Sequence, residues 1–196
     1  CYYEGEKNMK WTEENREFYH LVLRENNNTC RLADERVKKR FLNTILLIQQ
    51  ELPFQIYSFC MTNNRAYFLM QISKDSKAEF AFNLMAGGLE QSCCSFYSGW
   101  RGEIQVSFRR VEPENAAMLL EHCVMIHRHA LECAAKVEDY WWCSYNDYIN
   151  KYHTGLVRPE KLLGLLDESA RKSMQKFVLC HRKLCYTKEN VSKAKM

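Results

Sequence analysis

The sequence predicts an α+β fold: a ferredoxin-like antiparallel sheet with helices packed on one face, followed by a basic helical appendage at the C-terminus. Four short runs read as strands, and the first and fourth of them alternate in polarity as half-buried strands do. Two stretches between them carry apolar residues at the 3.6-residue spacing of an amphipathic helix. The second and third runs are joined by a three-residue polar turn, too short for anything but a hairpin.

In chain order, Glu17–Arg24 (EFYHLVLR) reads as the first strand and Asn26–Thr29 as a loop. Leu32–Glu51 places Val37, Phe41, Ile45 and Ile48 on one helical face, with Asp34 and Glu35 where the helix dipole favours negative charge. Pro53 closes that helix. Phe54–Met61 and Arg65–Ile72 are the hairpin strands around Thr62-Asn63-Asn64. Lys77–Tyr97 repeats the helical pattern through Phe80, Leu84, Met85 and Leu89, with a weak point at Gly87-Gly88. After the loop Gly99–Gly102, Glu103–Arg109 alternates Ile104, Val106 and Phe108 as a fourth strand. Pro113 is expected in the first turn of a third helix running to about Ala135. An aromatic block, Asp139–Tyr152, then precedes a Leu-rich stretch at Leu162–Leu166 and a last helix over Asp167–Leu184.

The chain has 196 residues, of which 46% are hydrophobic and 27% charged, a balance that excludes disorder except at the ends. No apolar run approaches the roughly 18 residues needed to cross a bilayer, so no membrane partner is expected. The polar N-terminus, Cys1–Trp11, does not read as a signal peptide. Ten cysteines with no Cys-x-x-Cys pair imply free thiols in a reducing, cytoplasmic setting. The net charge of +4 is uneven: residues 168–196 carry +6 and the rest carries −2. A basic segment on a near-neutral body suits a phosphate-binding surface, although a solubilising helix has the same composition. The expected organisation is a polar lead-in over 1–16, an α+β domain over 17–166, and a basic helix and tail over 167–196.

Six local words, in order, resemble the transposases with a single catalytic tyrosine, particularly those associated with REP elements. Tyr19-His20-Leu-Val-Leu-Arg24-Glu-Asn26-Asn27 resembles their "YHV..RGNN" opening, and Tyr57-Ser-Phe-Cys-Met61-Thr-Asn63 their "Y.LMPNH.H" hairpin. Met85, Leu89 and Tyr97 match the helix after it, and Gly102–Arg109 is similar to "G.LWQ.RFKS", one residue shorter. Ile126-His127 resembles the start of "YIHLNPVRAG", and Glu138–Tyr148 is similar to "EDYPWSSYRDY". The words cover about residues 18–165.

The resemblance implies transesterification of single-stranded DNA, in which a His-hydrophobic-His pair holds a divalent metal and a helical tyrosine attacks. The matching positions here are Asn64, Arg65 and Ala66, and the tyrosine is replaced by Met125. Alanine offers no ligand, and a thioether has no proton to lose. The expected function is therefore binding of nucleic acid, single-stranded or hairpin DNA, by a catalytically degenerate domain acting in regulation. No metal or other cofactor is expected. Candidate contacts are Arg24, Arg65, Arg101, Arg109, Trp141, Arg171, Lys172, Lys176, Arg182 and Lys183. Arg65 stands out, because a fixed cation in place of the metal binds backbone and activates nothing. Dimers occur in the family, so a homodimer is also open.

Two other readings stay open: an active nuclease using Mg²⁺ or Mn²⁺ on relocated residues, and a protein-interaction module that has dropped DNA. His127-Arg-His129 is a His-x-His word within a predicted helix, where its rings point about 200° apart and cannot share a metal. His122, His129 and Cys133 share a helical stripe, yet the plainer reading is half-buried side chains. Trp142, Tyr145, Tyr148 and Tyr152 also fall at helical spacing and read as core, leaving Trp141 as the exposed ring for base stacking.

Overall fold

In a computed structural model the described residues are 16–26, 30–74 and 78–186. The lead-in before residue 16, Asn27 to Thr29, Lys77 and the tail cations Lys188, Lys193 and Lys195 lie outside them.

Six elements build the sheet layer in the order β1 (Arg16–Glu25), α1 (Glu35–Glu51), β2 (Phe54–Met61), β3 (Arg65–Ser73), α2 (Ala78–Cys94) and β4 (Ile104–Val111). The four strands lie in the order β2-β3-β1-β4, and every pair is antiparallel. This is the α+β sheet that the alternating runs predict. A short 3-10 turn (Arg31–Ala33) precedes α1, whose N-terminus is capped by Asp34 accepting from the Arg36 amide at 2.9 Å.

Because strand side chains alternate, each strand feeds two cores. Leu21, Leu23, Phe59, Ala66, Phe68, Met70 and Ile72 face α1 and α2, meeting Phe41, Ile45, Phe82 and Leu89. Helix α2 runs unbroken through Gly87-Gly88. Gly88 is buried at the crossing with α1, where a Cβ would come within 2.8 Å of Thr44 Cγ2. Helix-to-helix contact needs the hydrogen there.

The opposite face is also covered, by the chain after β4. Helix α3 (Ala116–His127) crosses β2 and β3, and α5 (Pro159–Leu166) and α6 (Ala170–Cys185) pack on α3. A second core forms from Phe18, Tyr57, Cys60, Leu69, Leu119, Val124, Tyr148, Leu162 and Phe177. The C-terminal basic helix thus sinks Phe177, His181 and Cys185 into this core while its cations face outward.

Helix α3 is shorter than its sequence suggests. Asn115 caps it by accepting from the Met118 amide at 3.0 Å, so Pro113 lies ahead of the cap and not in the first turn. After His127 the chain tightens into 3-10 geometry over Arg128–Glu132. The aromatic block likewise contains only one helical turn, α4 (Tyr145–Tyr148). Tyr145 and Tyr148 are core, stacked on Phe177 with centroids at 5.7 and 4.5 Å. Trp142 is half-buried and Tyr152 is exposed, because the helical period stops before reaching it. Trp141 is exposed as expected.

The block also seals one sheet edge. The Met61 amide donates to Trp142 O and the Ser144 amide to Phe59 O, at 2.9 and 3.0 Å. The far edge, β4, has no neighbour among the described residues.

Three side chains tie α6 to the sheet. Ser144 Oγ lies 2.8 Å from His127 Nε2, His127 Nδ1 lies 2.7 Å from His181 Nε2, and His181 Nδ1 lies 2.9 Å from Phe177 O. One arrangement of protons satisfies all three contacts. Phe177 O can only accept, so His181 carries its proton on Nδ1 and accepts at Nε2. His127 then donates from Nδ1 and accepts at Nε2 from the Ser144 hydroxyl, which itself receives the Phe59 amide at 2.9 Å. Every member is neutral. Burial drives both imidazoles down, His181 to about 4 and His127 well below its ordinary value with His181 adding to the effect.

Candidate nucleic-acid interface

Helix α3 covers the β2–β3 half of its sheet face and leaves the β1–β4 half open. Strand alternation places His20, Val22 and Arg24 of β1 there, away from the buried Leu21 and Leu23. Register aligns the neighbours in rows across the sheet. His20 lies between Leu69 of β3 and Arg109 of β4, Val22 between Tyr67 and Ser107, and Arg24 between Arg65 and Gln105. Arg24, Gln105, Ser107 and Arg109 are exposed. Four residues separate the first and last rows, about 13 Å along the strand. The surface is a polar shelf with cations at both ends.

Its walls come from the helical layer. The His129 ring stacks on Tyr67 with centroids 3.6 Å apart and planes within 5°. His129 Nδ1 also meets Glu132 Oε1 at 2.6 Å. Arg65 Nη1 donates to the Tyr67 hydroxyl at 3.3 Å, while its sequestered Nε–H finds no acceptor among the described residues. Arg24 and Arg109 have no ion-pair partner among the described residues, whereas the adjacent Arg110 is matched by Glu17 and Glu112 at 3.0 Å each. Arginines opposed directly across two strands repel. An unmatched pair of this kind costs stability unless an anion lies between them.

The shelf therefore gathers three sequence-predicted contacts: Arg24, Arg65 and Arg109. The others lie elsewhere. Arg101 is exposed in the loop before β4. Trp141 is 55% exposed, with Tyr152 edge-on at 5.2 Å. Arg171, Lys172, Arg182 and Lys183 are exposed on α6, which packs chiefly on α3 and α5 and not on the shelf strands. Lys176 is occupied: its ammonium donates to Leu166 O and Asp167 Oδ2 at 2.9 and 3.0 Å, closing the end of α5. Sequence reasoning missed His20, His122, His129, Gln105 and Ser107. The alternation of β1 could have flagged His20, since it shares a face with Arg24. The histidines after β4 arrive by packing alone.

No family model matches the chain, and no curated protein does. A solved structure, described as that of the REP-associated tyrosine transposase bound to a REP hairpin, aligns with a TM-score of 0.58 at 11% identity. The alignment covers 73% of this chain and 83% of that one. The likeness is to a transposase. At this identity the transposase shares the fold, and the residues of the site must be judged on their own chemistry.

The divalent metal that the sequence resemblance implies can be tested against the residues present. Asn64 is half-buried at the hairpin turn. Ala66 is fully buried in the α1–α2 core and carries no donor atom. Arg65 points to the other face and brings positive charge. These residues do not fit a divalent cation. Met125, at the position matching the tyrosine, is 44% exposed on α3 with only a thioether to offer. Among the described residues no three His, Cys, Asp or Glu side chains gather into a metal-binding set. His122, His129 and Cys133 are separated by the end of α3, which breaks the stripe they share on paper. No described helix is long and apolar enough to cross a membrane.

Proposed function

We propose that this chain binds single-stranded or hairpin DNA through the β1–β4 shelf and does so without cutting it. The carrying observation is the direct opposition of Arg24 and Arg65 in register, with Arg109 on the same face and no carboxylate matching Arg24 or Arg109 among the described residues. An incoming phosphodiester turns that repulsion into attraction, and the two ends of the shelf reach phosphates about four stacked nucleotides apart. The fold likeness to a transposase bound to hairpin DNA supports the same ligand class. Trp141 supplies an exposed ring for an unpaired base, and the outward cations of α6 add a sequence-independent component. The absence of donors at Ala66 and Met125 supports a role in occupancy and regulation, with the nine described cysteines kept as thiols in a reducing compartment.

The test is fluorescence anisotropy with a labelled DNA hairpin bearing a single-stranded foot, titrated between about 50 and 200 mM salt. Binding should weaken linearly on the log–log plot, and Arg24→Ala with Arg109→Ala should flatten the slope by roughly two counterions. A slope unchanged by the double substitution refutes the shelf. A denaturant-resistant protein–DNA adduct, or a nick dependent on Mg²⁺ or Mn²⁺, refutes the non-cleaving role. No binding at low salt leaves a protein-interaction module as the reading.

A further inference from the structure

The shelf holds charge that is not fixed. His20 sits in the middle of the open face with Arg109 as its strand partner on β4 and Leu69 on β3. His129 of the 3-10 turn after α3 reaches the shelf by stacking on Tyr67, one row from His20, and its ring and that of His122 on α3 both help to lower His20. All three rings are half-buried. The charged groups around them are Arg109 and Arg24 from the strands, Arg65 from β3, Glu121 beside His122, and Glu132 on His129.

These histidines are not equivalent. His129 is already held by Glu132 at 2.6 Å and stacked on Tyr67. His20 has cations as its charged neighbours, and burial together with Arg109, His129 and His122 lowers it to about 4. His122 is lowered by burial and by Arg109, against a smaller opposing pull from Glu121. In the free protein, then, two imidazoles on the shelf are held neutral by burial first and by the charge of Arg109 second. A phosphodiester beside Arg109 offsets the second cause and rewards a charged ring, so that each ring can then take a proton and donate from both nitrogens.

We propose that His20 and His122 form a proton-linked phosphate subsite of the shelf, becoming cationic when a nucleic-acid backbone binds beside Arg109. The inference rests on the shelf being the nucleic-acid surface and adds to it the identity of two contacts and their regulation by pH. The sign follows from linkage: a complex that takes up protons forms more tightly as pH falls. For one full proton the affinity changes about tenfold per pH unit. Acidification thus strengthens the grip of the shelf, and deprotonation loosens it with no change of fold.

The decisive measurement uses an A·T-stem hairpin with a thymidine loop, whose groups do not titrate between about pH 6 and 8. Calorimetry of its binding in two buffers of different ionisation enthalpy reads the proton number directly. Anisotropy titrations at fixed ionic strength across the same window read the affinity. The wild-type protein should take up about half a proton or more near pH 6.5 and gain about fivefold in affinity from pH 7.5 to 6. His20→Gln with His122→Gln should lose both the proton uptake and the gain in affinity between pH 7.5 and 6, its fold checked by circular dichroism. Salt-dependent binding with no proton uptake overturns this inference and leaves the shelf standing. Undiminished uptake in the double variant overturns it as well, by assigning the protons elsewhere. No binding at any pH removes the shelf and the subsite together.

Discussion

Acid should loosen this protein well before its carboxylates are protonated, and the buried Ser144–His127–His181 relay sets the pH at which it does. Unfolding releases His181 from about 4 to its ordinary 6.5. A group lowered in the folded state favours folding fully above its unfolded value, and that contribution is lost as pH falls toward the folded value. Over this span of about 2.5 pH units, at about 1.4 kcal/mol per unit, His181 alone removes on the order of 3 kcal/mol between pH 6.5 and 4. His127 is lowered in the same direction and adds to the loss. Asp147 runs the other way, since burial raises its carboxyl, and offsets part of the loss. A loss of about 3 kcal/mol is a large share of the 5–15 kcal/mol that holds an ordinary domain. With a urea slope of about 3 kcal/mol per molar, the midpoint should fall by about 1 M from pH 7 to 4.5. The assay is urea unfolding followed by circular dichroism, in parallel with histidine NMR titration of the native protein. His181→Phe should flatten the pH dependence by about one proton, whatever it does to stability at pH 7. A midpoint constant between pH 7 and 5, or a His181 resonance titrating near 6.5, refutes the proton arrangement of the relay.

The two neighbouring glycines of α2 should respond oppositely. Gly87→Ala, where a Cβ meets nothing within 4 Å on an exposed helix face, should raise stability by about 0.5–1 kcal/mol in thermal or urea unfolding. Gly88→Val, driven into the stiff β-branched Thr44, should cost roughly 1–3 kcal/mol and be partly rescued by Thr44→Ala. Lys38, 3% exposed, donates to the Tyr140 hydroxyl at 2.8 Å. Tyr140→Phe should therefore cost about 2–4 kcal/mol by stranding a buried amine, and Lys38→Met in the same chain should recover most of it; a double variant no more stable than the single one contradicts this account.

The sheet was legible because its signal is local. Alternation within Glu17–Arg24 and Glu103–Arg109 and a three-residue turn at Thr62–Asn64 leave little freedom in how the strands pair. The end of α3 was not legible, because residues 128–135 keep an apolar spacing that suits helix. What stops the helix is tertiary: Ala130 is fully buried and His129 is pulled onto Tyr67. The aromatic block misled for a related reason. Tyr145 and Tyr148 fit the period and are core, but the same sequence must also present Met61 and Phe59 with a backbone edge, which a helix cannot offer. The shelf was half legible. Arginines on strands are visible in sequence, while the pairing that sets Arg24 against Arg65 and His20 against Arg109 exists only once the register is known.

On the proposed function, register also links the apolar residue at position 66 to the anion surface on the other face. Ala66 and Arg65 are adjacent, so strand geometry sends them to opposite faces of β3. On one face, alanine lets Phe68, Phe59 and Leu23 close over the position with no polar atom to satisfy. On the other, arginine adds a cation beside Arg24. A histidine at position 66 would have to bury an imidazole among those side chains, and any metal it drew in would face the repulsion of Arg65. On the proposed function the two residues reinforce each other: alanine keeps the inner face apolar, and arginine places a tethered guanidinium on the outer one. A tethered cation attracts a phosphate but cannot supply a metal's Lewis acidity. Affinity without activation is therefore the physical content of the proposal that this chain is a binder.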